Sequence, residues 1–309
     1  MKKILLIDTF NFLHRAYHAL PKTLTDKEGS PTNAVYGVTS MLINVFGQLK
    51  PDYALAALDD VAPTFRVEEF TGYKAHRKPM DEDLSVQIPK VFEIIDAFGV
   101  KKEVLIGYEA DDIIGTMSER FGGETLDVII ISNDKDLWQL VKPNVMVMNP
   151  TTNGQADWLG EKEVITRMGF PPSLIPDYKG LRGDPSDNIP GVYGIGDKTA
   201  TNLIKEFGGI DEIYQNINKI ESMSTRKKLM ENYEQAVMSK KLAEIITDAP
   251  LDVVLEECRY STFNIGQVKE VLEKYNFKSL IKRLGFEVSG NKSNRSSKEE
   301  VNPNQMSLL

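Results

Sequence analysis

Acidic residues recur in this chain at the ends of predicted strands. Asp8 follows the first long apolar run, Asp59 follows the second, and Asp134 and Asp136 follow the third. Because the carboxyl ends of parallel strands lie along one edge of a sheet, these four carboxylates are expected to converge. Converging carboxylates repel one another strongly where the dielectric constant is low, so either their pKa values rise or cations bind between them. The spacing therefore predicts a cation site at this edge of the sheet.

Two further acidic groups extend this pattern. Glu109, Asp111 and Asp112 open a predicted helix, and Asp184 and Asp187 lie in a short turn after a glycine. Each group alone has an ordinary explanation, since acids cap helices, favour the first helical turn and are common in turns. Acids at three strand ends together with an acidic helix start are much less common. Oxygen ligands without His or Cys select Mg²⁺ or Mn²⁺, and two such ions are the usual means of cleaving a phosphodiester.

The elements that must position these acids alternate between strand and helix signals. Continuous apolar runs, typical of buried parallel strands, occur at residues 3–7, 53–58, 127–131 and 145–148. Apolar residues at helical spacing occur at residues 32–49, 84–98 and 109–121. This alternation predicts an α/β fold with a parallel-rich central sheet flanked by helices.

The second half of the chain has a different pattern. Strand signals stop near residue 160, and the sequence is helical in pattern from there to about residue 285. We place a domain boundary near residues 170–176, where three prolines cluster. The stretch 288–307 is rich in Ser, Asn, Lys and Glu with almost no apolar residues, which predicts a disordered tail.

Composition excludes several classes of protein. The chain has 309 residues, of which 41% are hydrophobic and 27% charged, as in ordinary globular proteins. A single cysteine, Cys258, excludes an intramolecular disulfide and fits a reducing compartment. No stretch approaches the roughly 18 to 20 apolar residues of a membrane span, and the apolar run after Met1 is too short for a signal peptide. We therefore expect a cytoplasmic protein that does not bind membranes.

The net charge of −8 argues, taken alone, against a nucleic-acid partner. Acids gathered in one metal site weaken that argument, because bound divalent ions would invert the local field. The positive charge is also clustered, at residues 74–78, 226–228, 240–241 and 282–283.

The segment 60–82 fits neither the strand nor the helix pattern. Basic and aromatic residues interleave in it, among them Phe65, Tyr73, Lys74 and Arg77. One interpretation is a solvated excursion between a strand and a helix. The other is a mobile element that grips a phosphate backbone and stacks bases.

A glycine-rich turn at residues 190–200 precedes a predicted helix. Gly191, Gly194 and Gly196 would let the backbone approach a phosphate closely, and the free N–H groups of the helix would form an anion site. Lys198 and Thr199 can add direct contacts. Generic turns before helices often share this pattern. If the turn does bind a phosphate backbone, it reads no bases and implies sequence-independent duplex binding.

These residues together resemble a known family, the bacterial 5′-3′ exonucleases or flap endonucleases found at the N-terminus of DNA polymerase I. The resemblance covers roughly residues 3–285. It is carried by Leu58-Asp59, Ala62-Pro63-Thr64-Phe65-Arg66, Gly72-Tyr73-Lys74, Gly107-Tyr108-Glu109-Ala110-Asp111-Asp112, Asp134-Lys135-Asp136-Leu137, Gly183-Asp184-Pro185-Ser186-Asp187-Asn188 and Gly194-Ile195-Gly196-Asp197-Lys198-Thr199-Ala200. The departures are small, with Thr9-Phe10 after Asp8 and an additional acid at Asp60.

The resemblance implies a metal site with two or more Mg²⁺ or Mn²⁺ ions. The acids that match the family's ligands are Asp8, Asp59, Glu109, Asp111, Asp134, Asp136, Asp184 and Asp187, with Asp112 as a further match. Helix geometry alone would pair Glu109 with Asp112, three residues apart, whereas the family pattern assigns Asp111. We follow the family pattern.

The resemblance also assigns roles outside the carboxylates. Lys74 and Arg77 match catalytic basic residues of a helical arch, at about residues 60–82, that would stabilise charge on the scissile phosphate. The turn resembles a potassium-binding duplex site. The residues expected to hold that K⁺ ion through their carbonyls are Leu181, Arg182, Pro190, Val192 and Ile195. Those expected to contact DNA are Tyr73, Gly191, Gly194, Gly196, Lys198 and Thr199.

The implied architecture is a PIN-like 5′ nuclease fold with a C-terminal all-α helix-hairpin-helix (helix-3-turn-helix) domain. The expected limits are 1–172 for the catalytic domain, 173–286 for the duplex-binding domain with its hairpin at 190–206, and 287–309 for the tail. The implied function is a monomeric, nucleoid-associated nuclease that hydrolyses DNA at 5′ flaps, nicks or 5′ ends by a two-metal mechanism, in replication (Okazaki fragment or primer processing) and repair.

Three alternatives stay open at this point. The chain could be a structure-specific DNA-binding module with little activity, although such a protein would not need the acids. It could be a ribonuclease of similar sheet topology, although the duplex-binding turn argues against this. The final residues Gln305–Leu309 resemble a peptide that binds the sliding clamp, or are an uninformative tail. Whether the chain is free-standing or part of a polymerase is not decided by the sequence.

Overall fold

The structure of the chain is a computed structural model that describes residues 1–123, 125–150, 156–260 and 263–286. The predicted disordered tail at 287–309, with its clamp-like end Gln305–Leu309, lies outside the described residues.

One six-stranded sheet forms the centre of the N-terminal half, in the order β3-β2-β1-β4-β5-β6. Its strands are β1 (Lys2–Asp8), β2 (Tyr53–Leu58), β3 (Lys101–Val104), β4 (Leu126–Ile131), β5 (Val145–Pro150) and β6 (Ala156–Leu159). The first five are parallel, and β6 runs antiparallel to β5. The predicted parallel-rich sheet is confirmed. The sequence did not predict β3 and β6, because both are short, partly exposed edge strands whose polar residues give no apolar run.

Helices cover both faces of this sheet. In chain order they are α1 (Thr9–Ala19), α2 (Asn33–Leu49), α3 (Phe65–Glu69), α4 (Glu82–Ser85), α5 (Ile88–Ala97), α6 (Ala110–Phe121) and α7 (Glu161–Met168). Alternate residues of β1 face opposite sides, so Leu5 and Ile7 pack with α1, α2 and α5, whereas Ile4 and Leu6 pack with α6. The predicted helices near 32–49, 84–98 and 109–121 are confirmed as α2, α5 and α6.

The second half is helical, as predicted. Its helices are α8 (Ile175–Arg182), α9 (Asp197–Phe207), α10 (Ile210–Gln215), α11 (Met223–Glu231), α12 (Tyr233–Ala243), α13 (Ile265–Lys274) and α14 (Lys278–Arg283). Helix α12 packs closely against α8. A Cβ added to Gly180 of α8 would lie 3.0 Å from the Ala236 carbonyl oxygen of α12. Leu181, Ile204 and Ile210 belong to the same buried cluster as Ile4 and Leu6 of β1, so the core continues beneath both halves.

The last two helices depart from the expected domain plan. Val268 of α13 and Leu280 of α14 are buried in the cluster that contains Phe46 of α2 and Phe98 after α5. The expectation of one helical unit at 173–286 therefore does not describe the packing of these helices, which complete the layer over the sheet. Apolar spacing predicts that a helix has a buried face, but it does not say which distant helix covers that face. Among the helices of the described ranges, none has the length and apolar character that a bilayer span requires.

Candidate functional site

The carboxylates of Asp8 and Asp59 lie close together at the carboxyl edge of the sheet. Asp8 ends β1 and caps α1, where its Oδ1 accepts from the Asn11 backbone N–H at 3.2 Å. Asp59 follows β2, and its Oδ1 accepts from the Ala110 N–H at 2.8 Å, which ties the end of β2 to the start of α6. Strand direction and helix capping together therefore turn these acids toward one another.

A serine links the acids of β1 and β4. The Ser132 hydroxyl donates to Asp8 Oδ2 at 2.7 Å and accepts from the Asp134 backbone N–H at 3.0 Å. Asp134 Oδ1 in turn accepts from the Asp136 N–H at 2.9 Å. This chain of hydrogen bonds holds the side chain of Asp134 beside that of Asp8.

Asp8, Asp59, Asp111 and Asp134, which we call the unpaired acids, have no basic partner. Across the described ranges, none of them forms an ion pair with Lys, Arg or His. Burial raises the pKa of Asp8 to about 7, with Asp59 and Asp134 adding to the rise against the hydrogen bond from Ser132. Burial, with Asp8 and Asp134 nearby, raises the pKa of Asp111 well above its usual value. A cation among these acids would relieve their repulsion.

Glu109, Asp136, Asp184 and Asp187, which we call the paired acids, each contact a basic side chain. Lys74 Nζ donates to Glu109 Oε2 at 2.8 Å. Arg77 Nη2 donates to Asp187 Oδ1 at 2.6 Å. Lys179 donates to Asp184 Oδ2 at 2.6 Å and also to Asp136. The predicted catalytic residues Lys74 and Arg77 therefore lie against the acids.

Three of the paired acids form a compact group. Asp136, Asp184 and Asp187 each offer one carboxylate oxygen, and these oxygens lie within 4.8 Å of one another. Burial raises the pKa of Asp136 to about 6, against the opposing effect of Lys179. Burial also acts to raise the pKa of Asp184, but Lys179 and hydrogen bonds from Ser186 outweigh it and hold the value below its usual range. Acids from the sheet half and the helical half thus meet at one place.

The donor set fits hard divalent cations. Every candidate ligand is a carboxylate, and carboxylate oxygens without nitrogen or sulfur donors suit Mg²⁺ or Mn²⁺. Asp134, Asp136 and Asp184 line an open cleft of about 570 Å³ between the two halves, which has room for ions and a phosphate. The raised pKa values of Asp8 and Asp111 are the expected signature of a site completed by cations.

Asp112 does not belong to this set of ligands. Its side chain is fully buried, and its two oxygens accept from Arg66 at 2.7 Å each. The same oxygens also accept from the backbone N–H groups of Glu109, at 3.0 Å, and Ile246, at 2.9 Å. The expected pairing of Glu109 with Asp112 therefore exists, but as a helix cap rather than as shared metal ligands. The inclusion of Asp112 among the metal ligands is corrected on this ground.

The segment 60–82, predicted to form an arch, contacts the acids of the site through Tyr73, Lys74 and Arg77. It contains the short helices α3 and the start of α4, joined by turns. Tyr73 is 4% exposed, packs with Ile189 and Leu242, and donates to Glu109 at 3.1 Å. The ring of Tyr73 belongs to a small core in this structure, and the predicted contact of Tyr73 with DNA stays a prediction. Sequence gave no sign of this burial, since the core forms with residues more than 100 positions away.

The backbone around Lys74 is strained at the point where it meets the helical half. Lys74 has a φ of 52°, in the left-handed region that non-glycine residues rarely adopt. Its N–H donates to the Asp187 carbonyl at 2.9 Å, and Asn188 Nδ2 donates to the Gly72 carbonyl at 2.6 Å. These two bonds fix the Lys74 side chain beside the paired acids, so the strain accompanies a functional position.

The predicted turn lies between α8 and α9. Gly191 has a φ of 64°, and a Cβ on it would come within 2.1 Å of the Gly183 nitrogen, so this glycine is required by the fold. Gly196 precedes α9 with no atom within 4 Å of an added Cβ, so its backbone is open to solvent. Lys198 is exposed and Thr199 half-buried in the first turn of α9. Gly194 lies beside Lys228, whose Nζ donates to its carbonyl at 2.9 Å.

The five residues expected to hold potassium come together around this turn. The Leu181 carbonyl accepts from the Val192 N–H at 2.8 Å, and the Val192 carbonyl accepts from the Ile195 N–H at 3.0 Å. A Cβ added to Gly183 would lie 2.7 Å from the Pro190 carbonyl oxygen. A Cβ added to Gly191 would lie 2.6 Å from the Arg182 carbonyl carbon. Two of the five carbonyls, those of Leu181 and Val192, therefore already accept one backbone hydrogen bond each, and the binding of K⁺ stays a prediction.

Three side chains important to the site were not singled out from the sequence. Lys179, Arg66 and Ser132 are all buried polar residues that contact the acids. Arg66 and Ser132 lie within or beside quoted motifs without an assigned role, and the helical pattern of the second half did not mark Lys179 as buried.

Two family models match the chain in succession. The first is the N-terminal resolvase-like domain of 5′-3′ exonucleases, over residues 3–169. The second is the C-terminal SAM fold of 5′-3′ exonucleases, over residues 170–266.

Curated relatives and solved structures agree with these matches. DNA polymerase I of Caldicellulosiruptor bescii is 43% identical over 287 residues, covering 92% of this chain and 34% of that protein. A 5′-3′ exonuclease of Aquifex aeolicus is 36% identical over 284 residues, covering 92% of this chain and 96% of that protein. The chain thus spans about a third of the polymerase relative. A structure of the bacteriophage T5 flap endonuclease with DNA and metal ions is 20% identical, with a TM-score of 0.64, over 89% of this chain and all of the other. This last likeness shows the shared fold.

Proposed function

The chain belongs to the 5′-3′ exonuclease family, and from this premise we propose that it hydrolyses DNA phosphodiesters at 5′ ends, nicks and 5′ flaps with two divalent metal ions. Mg²⁺ or Mn²⁺ is the proposed cofactor. Okazaki fragment or primer processing and repair are the proposed processes.

The observation that supports this proposal is that acids from both halves of the chain meet, since carboxylate oxygens of Asp136, Asp184 and Asp187 lie within 4.8 Å of one another. Each half alone supplies an incomplete set, since Asp184 and Asp187 follow α8 whereas the others come from the sheet half. A DNA-binding module without activity would have no use for such mutual repulsion. Burial raises the pKa values of Asp8 and Asp111, and their acidic neighbours add to the rise.

Divalent ions at these acids would activate water and neutralise charge on the scissile phosphate. The chain's own residues would do the rest. Lys74 and Arg77, at 24% and 54% side-chain exposure, lie at the solvent side of the acids and would bind the phosphate oxygens as the DNA enters. Ser132 holds Asp8 and Asp134 in position during this step.

The turn and the first residues of α9 would bind the phosphate backbone of one strand of the duplex. The exposed backbone at Gly196 and the exposed ammonium of Lys198 support this role. Leu181, Arg182, Pro190, Val192 and Ile195 would hold a K⁺ ion through their carbonyls there. Duplex affinity measured in KCl and in LiCl at equal ionic strength tests the ion, and equal affinities would remove it from the proposal.

Product mapping on 5′-labelled flap, nicked and blunt DNA tests the activity itself. Cleavage in Mg²⁺ is expected on flaps and 5′ ends and should stop in EDTA. Asp134→Ala or Asp136→Ala should abolish cleavage and leave DNA binding largely intact. Unchanged cleavage in these variants would contradict the assignment, and equal cleavage of RNA flaps would favour a ribonuclease.

Two glycine variants separate duplex binding from folding. Gly196→Ala meets no neighbouring atom and should cost at most about 1 kcal/mol through poorer helix capping, yet it should weaken duplex binding by crowding the phosphate. Gly191→Ala should instead destabilise the fold, since its Cβ would overlap Gly183. Duplex binding by Gly196→Ala equal to that of the original chain would argue against the turn as the phosphate site.

The tail Gln305–Leu309 is a separate proposal, as a peptide that binds the sliding clamp. Deletion of these five residues should abolish retention on immobilised clamp. Equal retention would dismiss it.

A further inference from the structure

Lys179 is a buried cation among the acids. It lies on α8 with 7% of its surface exposed, and its Nζ donates to Asp184 Oδ2 at 2.6 Å and to Asp136. Asp136 comes from the sheet half and Asp184 from the helical half, so one ammonium group connects the two sources of ligands. Both partners belong to the three-carboxylate group whose oxygens lie within 4.8 Å of one another.

The ammonium group contacts carboxylate oxygens that would also be available to a metal ion. A lone buried ammonium is expensive, so Lys179 requires the carboxylates as much as they require a cation. One positive charge does not neutralise the three acids Asp136, Asp184 and Asp187. The group is therefore held together without metal, but it keeps an excess of negative charge.

The other basic residues at the site differ from Lys179 in exposure. The side chains of Lys74 and Arg77 are 24% and 54% exposed, whereas that of Lys179 is 9% exposed. Lys74 and Arg77 can turn toward an incoming phosphate and remain solvated. Lys179 is enclosed between α8 and the acids, so its charge stays beside the same oxygens.

We propose that Lys179 is a built-in counter-cation that holds Asp136 and Asp184 together without metal and competes with a divalent ion for their oxygens. The inference rests on the proposed function, in which divalent ions bind these acids. It makes Lys179 a positioning residue that lowers metal affinity in this half of the site. Occupancy there would then depend on a second source of negative charge, such as the phosphate of a bound DNA.

Metal binding without DNA tests this inference directly. Mn²⁺ is titrated into the full chain, and unbound Mn²⁺ is measured from its electron paramagnetic resonance signal. Lys179→Met removes the charge and keeps much of the side-chain volume. We expect the weaker class of Mn²⁺ sites to bind about tenfold more tightly in this variant. A residue with only a structural role would give the opposite result, because a loosened site binds metal less well.

Lys240→Met is the matched control. Lys240 Nζ pairs with the buried Asp177 at 2.7 Å, in the same helical half but away from the acids. Its replacement should leave Mn²⁺ affinity unchanged. Lys179→Arg retains the positive charge and should also retain the affinity of the original chain.

The outcomes separate this inference from the proposed function. If the original chain binds no Mn²⁺ and cleaves nothing, the proposed function fails. If it binds Mn²⁺ and cleaves, but Lys179→Met binds equally or more weakly, only the inference is overturned. If Lys179→Met unfolds in EDTA but folds with Mn²⁺, the ion replaces the ammonium and the inference is supported. If both Lys179→Met and the hydrogen-bonding variant Lys179→Gln stay unfolded with Mn²⁺, it is overturned.

Discussion

The unpaired acids and the paired acids lie side by side but reach stability in different ways. The unpaired acids repel one another, and the pKa of Asp8 rises to about 7 as a result of burial and of its acidic neighbours. The paired acids carry their own cations, and the pKa of Asp184 falls below its usual value, since Lys179 and Ser186 outweigh the effect of burial. Within the described residues, the first group therefore lacks a neutralising cation, whereas the second group contains its own.

This difference suggests an order of assembly. On the proposed function, a first divalent ion would gain most at the unpaired acids, because none of them forms an ion pair with a basic side chain among the described residues. A second ion must compete with Lys179 for the oxygens of Asp136 and Asp184. The helical half is thus attached to the sheet half before the metal set is complete.

The sharpest test uses two adjacent acids. Asp112→Asn leaves the buried charge of Arg66 without a full partner and should lower the free energy of unfolding by about 3–5 kcal/mol. Asp111→Asn should preserve folding, yet reduce Mg²⁺-dependent cleavage at least about a hundredfold. Urea unfolding and single-turnover cleavage measure the two effects. If both variants lose stability and cleavage activity to the same extent, Asp111 and Asp112 do not have the different roles assigned to them.

Neutralising one acid of each group should change the free energy of unfolding in opposite directions, as measured in EDTA at pH 8. Asp8→Asn keeps the helix cap and removes repulsion, so the free energy of unfolding should rise by about 1 kcal/mol. Asp187→Asn weakens contacts with Arg77 and Lys74 and should lower it by about 1–2 kcal/mol. Chemical denaturation gives both values. Two changes of the same sign would break the comparison.

The raised pKa values of one acid from each group, Asp8 and Asp136, also predict how metal changes the pH dependence of stability. The folded pKa values of Asp8, about 7, and Asp136, about 6, lie above the usual 3.8, so the folded state binds more protons than the unfolded state between those values. Metal-free stability should therefore rise as pH falls from 8 to 5, by about 2–5 °C in Tm. Excess Mg²⁺ should flatten this slope, because it favours the ionised acids. A metal-free Tm that falls over this range would contradict the assignment.

The smallest effect is expected at the most exposed pair. Arg77 is 54% exposed, so Arg77→Gln should change the free energy of unfolding by less than about 1 kcal/mol. Cleavage should still weaken about tenfold, because the phosphate loses a charged donor. Calorimetry and a flap assay on the same preparation test both statements. A large loss of stability would mean that Arg77 supports the fold more than the reaction.

The acids could be predicted from sequence because local patterns position them. An apolar run followed by Asp at residues 8, 59 and 134 needs only strand direction to bring the side chains to one edge. The glycine pattern of the turn could also be recognised in the sequence, and Gly191 is a glycine because no side chain fits so close to Gly183. These parts of the site depend on contacts within a few residues.

The remaining parts depend on distant residues. Spacing did not decide between Asp111 and Asp112, because the outcome rests on Arg66, which lies 46 positions from Asp112. Tyr73 is removed from solvent by Ile189 and Leu242, which a reading of its own segment does not reveal. The sequence pattern does not predict β3, because its Lys and Glu residues are typical of an exposed edge strand rather than of a buried strand.

The shared core has a consequence for how this unit can be moved between proteins. The two family models meet at residues 169 and 170, yet Phe170 is 3% exposed within a cluster that joins β1 to α8 and α9. A cut at that junction would expose apolar surface on both pieces and split the acids between them. A functional transfer of this unit to another protein would therefore have to include both matched regions together with α13 and α14, which pack over the sheet.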